Sequence, residues 1–196
     1  MSCKIDKSIA FDCDAPQQGG IQAYIYALNF SEILTATVTV DGSTEEITDI
    51  TLTVSGDVGY KFAVPKSSNL LPSSPLRVIE GVDGFDHTLQ CRLNTIEQLD
   101  RKNLARVRFN KLVNIVKYLE GRMILYGASV KDPTGTPELI GVGMRVSEWD
   151  DQPSDPGLSA TVGVTWKTPD NDPPEIHPPH IIASAFDPET LLTPIV

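Results

Sequence analysis

Short runs in which apolar and polar residues alternate, each ended by a turn-forming pair, recur along this chain and restrict it to β-structure. In ILTATVTVDG, Leu34, Ala36, Val38 and Val40 alternate with Thr35, Thr37 and Thr39, and Asp41-Gly42 closes the run. A repeat of two puts the apolar groups on one face of a strand and the hydroxyls on the other. ITDITLTV resumes the pattern with Ile50, Leu52 and Val54, so the two runs predict a hairpin with a loop of several residues.

Other segments extend the pattern. GIQAYIYALNF, after Gly19-Gly20, reads as a first strand, and GYKFAV as another that ends at Pro65. FDHTLQCRL places Phe85, His87, Leu89, Cys91 and Leu93 at alternate positions, with His87 on the apolar face. KLVNIVKYL has a helix-like apolar content, but its β-branched Val113, Ile115 and Val116 and the Glu120-Gly121 break favour a strand pair with RMILYGAS. LIGVGMRVSEW and GLSATVGVTW form a further hairpin across the acidic loop DDQPSDP. One helix is expected, near 96–109, where Thr95 and Gln98 have capping-box spacing ahead of Ile96, Leu99, Leu104 and Val107.

Two stretches break the alternation. Pro65, Pro72 and Pro75 interrupt residues 64–84, which therefore read as a long irregular projecting loop. That loop nevertheless carries Asn69 and the apolar Leu70, Leu71, Pro72 and Leu76, a set suited to contact with another chain or to packing back onto its own domain. Seven prolines lie between 169 and 194 and keep that stretch extended. Such a stretch is either disordered or an arm that docks on a neighbour, and Ile181, Ile182 and Phe186 favour docking. The division expected is a β domain over 1–168 and a Pro-rich C-terminal arm over 169–196.

Charge is segregated along the chain. The net charge of −10 resolves into −7 over residues 1–91, +5 over 92–147 and −8 over 148–196. Patches of opposite sign on one chain allow copies of it to pair, while the acidic total disfavours tight binding to nucleic acid. No apolar run approaches the roughly 20 residues of a membrane span, and MSCKIDKSIAFDC lacks the apolar core of a signal peptide. A soluble chain made in the cytoplasm, with Cys3, Cys13 and Cys91 reduced, is expected.

Chemistry-bearing motifs are missing from the sequence. Pro178-Pro179 prevents His177 and His180 from sharing a helix face as metal ligands. There is no GxxxxGK[ST] loop and no GxSxG elbow, and a lone His87 on an apolar face reads as a packing residue. No catalytic residue, cofactor or metal is expected. A β-sandwich binding module would need an aromatic platform, and Trp149, Trp166 and the tyrosines are dispersed.

The order of segments carries a resemblance. Asp12-Cys13, Gly19-Gly20, the strand that follows and Asn29-Phe30-Ser31-Glu32-Ile33 resemble the start of the tail tube proteins of tailed bacteriophages, of the type met in phages of Bacteroidetes. YKFAVPKSSN is similar to that family's strand entering a long loop. HTLQCRLNTIEQLDRKNLARV resembles its strand-then-helix unit, and KLVNIVKYLEGRMILYGAS the strand pair after it. The likeness spans roughly residues 8–168, and departs from the family in its short DDQPSDP loop and long Pro-rich tail.

The resemblance implies a mainly β chain, an antiparallel sandwich or barrel-like domain with one flanking helix. It further implies a virion structural protein, assembled in the host cytoplasm, whose subunits close into rings, commonly hexameric, and stack into a tail tube. Its partners would be further copies of itself and other tail or neck proteins, with genomic DNA passing through unbound during ejection. A neck, ring or baseplate component, or the tube of a contractile injection system, is the same-fold alternative.

Overall fold

The computed structural model describes residues 21–34, 36–63, 71–79, 82–94, 110–118, 121–131, 136–150 and 161–192. The chain is mainly β, with several antiparallel sheets. The helix expected near 96–109 lies outside the described residues. A single helical turn, α1 (Phe30–Ile33), follows the first strand, and a 3-10 turn spans Pro188–Leu192.

The larger sheet has seven strands. Its first strand β1 (Ile21–Asn29) lies between β4 (Tyr60–Ala63) and β9 (Leu112–Tyr118), and β9 pairs onward with β10 (Met123–Tyr126). At the other side stands the Thr-rich hairpin of β2 (Thr37–Val40) and β3 (Ile47–Thr51). Asp41 tightens its turn, accepting hydrogen bonds from the backbone N–H of Ser43 and Thr44. Residues Leu112–Val116 are buried without interruption, since β9 has a packed layer on each face, and this accounts for their helix-like apolar content.

A second sheet of four strands runs β13 (Arg145–Asp150), β14 (Thr161–Lys167), β8 (Thr88–Asn94), β5 (Leu71–Ser73). Leu89, Cys91, Val164 and Trp166 from this sheet share a core with Ile25, Ala27, Leu112, Val116 and Tyr126 of the larger one. The opposite face of the larger sheet buries Leu28, Ile47, Ile50, Val113, Ile115 and Leu125. Two ribbons complete the described fold: β6 (Leu76–Ile79) with β7 (Val82–Phe85), and β11 (Ser129–Lys131) with β12 (Glu138–Ile140).

Two expectations are corrected. The stretch 64–84 is not irregular where it is described: β5 and β6 fall inside it and β7 begins within it. Pro72 is accommodated because β5 is an edge strand, where a missing N–H breaks no ladder. Nor is 169–196 an arm reaching a neighbour. Its residues His180–Ile182 form β15, which lies inside the larger sheet between β10 and β3. Ile182, Phe186 and Leu191 belong to this chain's own core, each burial worth roughly 1.5–3 kcal/mol.

Candidate assembly surface

The two large sheets differ in how their edges are treated. In the seven-stranded sheet, β4 is capped by the C-terminal turn: Gly59 N–H donates to the Leu191 carbonyl at 2.7 Å, and Lys61 pairs with Glu189 at 2.6 Å. The Tyr26 hydroxyl also donates to Glu189, at 2.7 Å. In the four-stranded sheet, no described strand pairs with the outer edge of either β13 or β5. A register shift between Val146 and Glu148 bends β13 at this edge. Exposed edges are templates for another strand, and a folded chain either covers them or uses them.

The outward face of the four-stranded sheet is polar. Gln90, Arg145 and Glu148 are exposed on it. The Thr165 hydroxyl donates to a Glu148 carboxylate oxygen at 3.2 Å, and the Ser147 hydroxyl to the Thr165 carbonyl at 3.2 Å. The sheet is therefore amphipathic, one face in the core and one solvated.

An apolar surface lies on the β6–β7 ribbon. Leu76 and Val78 sit two residues apart on one face and are 61% and 70% exposed. Between them Arg77 points the other way and fastens the ribbon to the chain beyond β14. Its Nε lies 2.8 Å from Asp86 Oδ1 as an ion pair, and its two terminal nitrogens donate to the carbonyls of Asp170 and Asp172 at 3.1 and 2.9 Å.

The segment those carbonyls belong to, residues 168–177, is a strap across the base of the ribbon. Thr168 N–H donates to the His87 carbonyl at 2.9 Å, and His87 N–H returns a bond to the Thr168 hydroxyl at 3.0 Å. Lys111 pairs with Asp172 at 2.8 Å. Glu175 and Phe85 exchange two backbone hydrogen bonds, 2.7 and 3.0 Å long. Ile176, next along, is 67% exposed. Leu76, Val78 and Ile176 thus belong to two segments that are tied together at Phe85.

Two titratable groups under the strap are buried. Glu175 is 3% exposed, and its Oε1 accepts from Val142 N–H at 2.8 Å. Burial raises its carboxyl to about 7, against the pull of the Val142 and Gly143 N–H groups and of Lys111. The His87 ring is wholly buried: Nδ1 accepts from Gly127 N–H at 2.9 Å and Nε2 lies 3.1 Å from the His177 carbonyl. Burial lowers this imidazole to about 4. Gly127 reaches the ring because its φ of 89° and the Leu112 carbonyl, 2.9 Å from where a Cβ would stand, exclude other residues. Gly141 is bare for a related reason, since a Cβ there would stand 2.7 Å from the Gly127 carbonyl and 3.1 Å from Glu175 Oε2.

Of the residues expected to contact another subunit, Leu76 is exposed on β6, Pro72 is half-buried on β5, and Leu71 begins β5. Asn69 and Leu70 lie outside the described residues. Ile181 is exposed on β15, whereas Ile182 and Phe186 are interior and face no partner. Val78 was legible as the period-two partner of Leu76 but was not singled out. Ile176 and Glu175 were hidden among prolines. Trp166 is fully buried and stacks near Phe62, with ring centroids 6.1 Å apart, so it offers no platform to a ligand. The His180 ring lies 2.7 Å from the Glu45 carbonyl, and the described residues contain no group of three or more His, Cys, Asp or Glu able to hold a metal.

No protein-family model, curated protein or solved structure matches this chain.

Proposed function

We propose that this chain is a self-assembling structural subunit of the tail tube type, closing into rings that stack around a channel through which DNA passes. One observation carries the reading: a four-stranded amphipathic sheet with no described strand on either outer edge, beside a second sheet whose β4 edge is capped. Joining β13 of one copy to β5 of the next is a heterologous contact, and such a contact repeated with a fixed rotation closes a ring. The polar outward faces would then line the interior, where the acidic total of the chain would repel phosphate and let a duplex slide. The apolar face of Leu76 and Val78 serves the axial contact between rings. A neck, ring or baseplate component of the same fold is the alternative reading.

The test is solution mass across concentration, with negative-stain electron microscopy, for the native chain and for Leu76→Asp with Val78→Asp. Rings or tubes from the native chain, and unstacked rings from the double variant, are expected. A native chain that stays monomeric at every concentration contradicts the reading.

A further inference from the structure

The hydrogen bonds beneath the strap close on themselves. The Glu175 carboxyl takes Val142 N–H, and the neighbouring Gly143 N–H donates to the Gly127 carbonyl at 3.0 Å. Gly127 N–H in turn donates to His87 Nδ1, and His87 Nε2 reaches the carbonyl of His177, two residues from Glu175. The circuit therefore starts and ends on the strap, and it passes through two buried ionisable side chains. The exposed Ile176 is the residue between its two ends.

Hydrogen bonding at His87 and burial at Glu175 each favour one protonation state. Nδ1 of His87 accepts a hydrogen bond, so the ring is neutral with its proton on Nε2, which donates to the His177 carbonyl. Asp86, beside His87, is engaged by Arg77, and the nearest ring is the edge-on Tyr126 at 5.9 Å, so no free anion faces the imidazole to favour a charge. Glu175 stands in the opposite condition. The cation nearest in effect, Lys111, is itself held by Asp172, and Arg77 is committed to Asp86 and two carbonyls. A carboxyl so enclosed, with no counter-ion of its own among the described residues, favours its protonated form.

We propose that Glu175 and His87 act as a proton-compensated clasp, one group holding the strap by keeping a proton and the other by lacking one. Lowering the pH helps Glu175 and harms His87, and raising it does the reverse. The raised Glu175 carboxyl stabilises the closed strap below its ordinary 4.5 and loses that contribution as pH rises through about 7. The lowered His87 imidazole stabilises it above 6.5 and loses that contribution as pH falls through about 4. Across the overlap the two slopes cancel, and the strap with Ile176 keeps one position from mildly acid to neutral solution. A steady strap at the base of the Leu76–Val78 ribbon is what ring stacking needs; that consequence rests on the function proposed above, while the clasp does not.

Hydrogen exchange of the strap and of residues 82–87 in the full chain, corrected for the intrinsic pH dependence of exchange, tests the clasp. Between pH 5 and 7 the native protein is expected to change its strap opening by less than about threefold. Glu175→Gln should open more as pH falls, and His87→Gln more as pH rises, each by about tenfold or more over the same range. In the native protein, with no substitution, His87 should show by NMR a neutral ring protonated at Nε2 throughout. Equal pH profiles for the native chain and either variant would overturn the clasp, as would a His87 ring titrating near 6.5 in the folded chain. Particle mass on the same samples reads the assembly question separately.

Discussion

Ile182 lies beside Ile47 in parallel register, and through that pair the C-terminal strand joins the β2–β3 hairpin to β10 and the strands beyond it. Ala183 N–H donates to the Ile47 carbonyl at 2.8 Å, while on its other side β15 is antiparallel to β10 from Met123 to Leu125. A segment with the composition of an appendage is thus the seam of the larger sheet.

Truncation after Thr168 is therefore expected to abolish the fold. It removes the strand between β3 and β10 together with Ile182, Phe186 and Leu191, whose burial is comparable with the net stability of a domain, about 5–15 kcal/mol. Circular dichroism on heating should show no cooperative transition. The milder Phe186→Ala should retain the transition and cost about 3–5 kcal/mol.

Arg77→Ala should destabilise the chain by about 2–3 kcal/mol, below the full range for a buried pair because both side chains keep some contact with water. The loss has two parts, an Asp86 carboxylate left without its partner and two strap carbonyls left without donors. Arg77→Lys should recover only part of it, since an ammonium lacks the fork that reaches Asp170 and Asp172 together. Urea midpoints for the three proteins decide this.

Gly127→Ala should cost about 2–3 kcal/mol, since alanine must adopt a positive φ and meets the Leu112 carbonyl. The shift should appear in the urea midpoint with the slope unchanged. A cost near zero would mean that the turn after β10 relaxes without moving the N–H that His87 accepts.

Much of the fold was legible from alternation alone. The β2–β3 hairpin, β1, β4, the β9–β10 pair and the β13–β14 pair each carry a period of two or a β-branched run bounded by turn residues. What escaped was structure whose signal is local chemistry of the opposite sense. Pro72 and Pro75 argue against strands, yet an edge position tolerates the first and the second stands between β5 and β6. Pro178-Pro179 reads as a linker, but an extended approach is what delivers the three-residue β15 into a gap between two distant strands. The proposed contact surface is half visible in the sequence: Leu76 and Val78 share a period of two, while the strap reaches their ribbon only through the Phe85–Glu175 bridge, a pairing across ninety positions of chain.

The central claim is the heterologous edge contact, and cross-linking reads it most directly. Cysteines replace Ser73 on β5 and Trp149 on β13, both exposed, in a chain with Cys3→Ser and Cys13→Ser; Cys91 is buried and stays unreactive. A flexible bis-maleimide is then applied to the assembled protein. The account predicts a covalent ladder that ends at one closed-ring band, with neither single-cysteine variant giving a ladder. Monomer alone, or dimers from a single-cysteine variant, would contradict ring closure through β13 and β5.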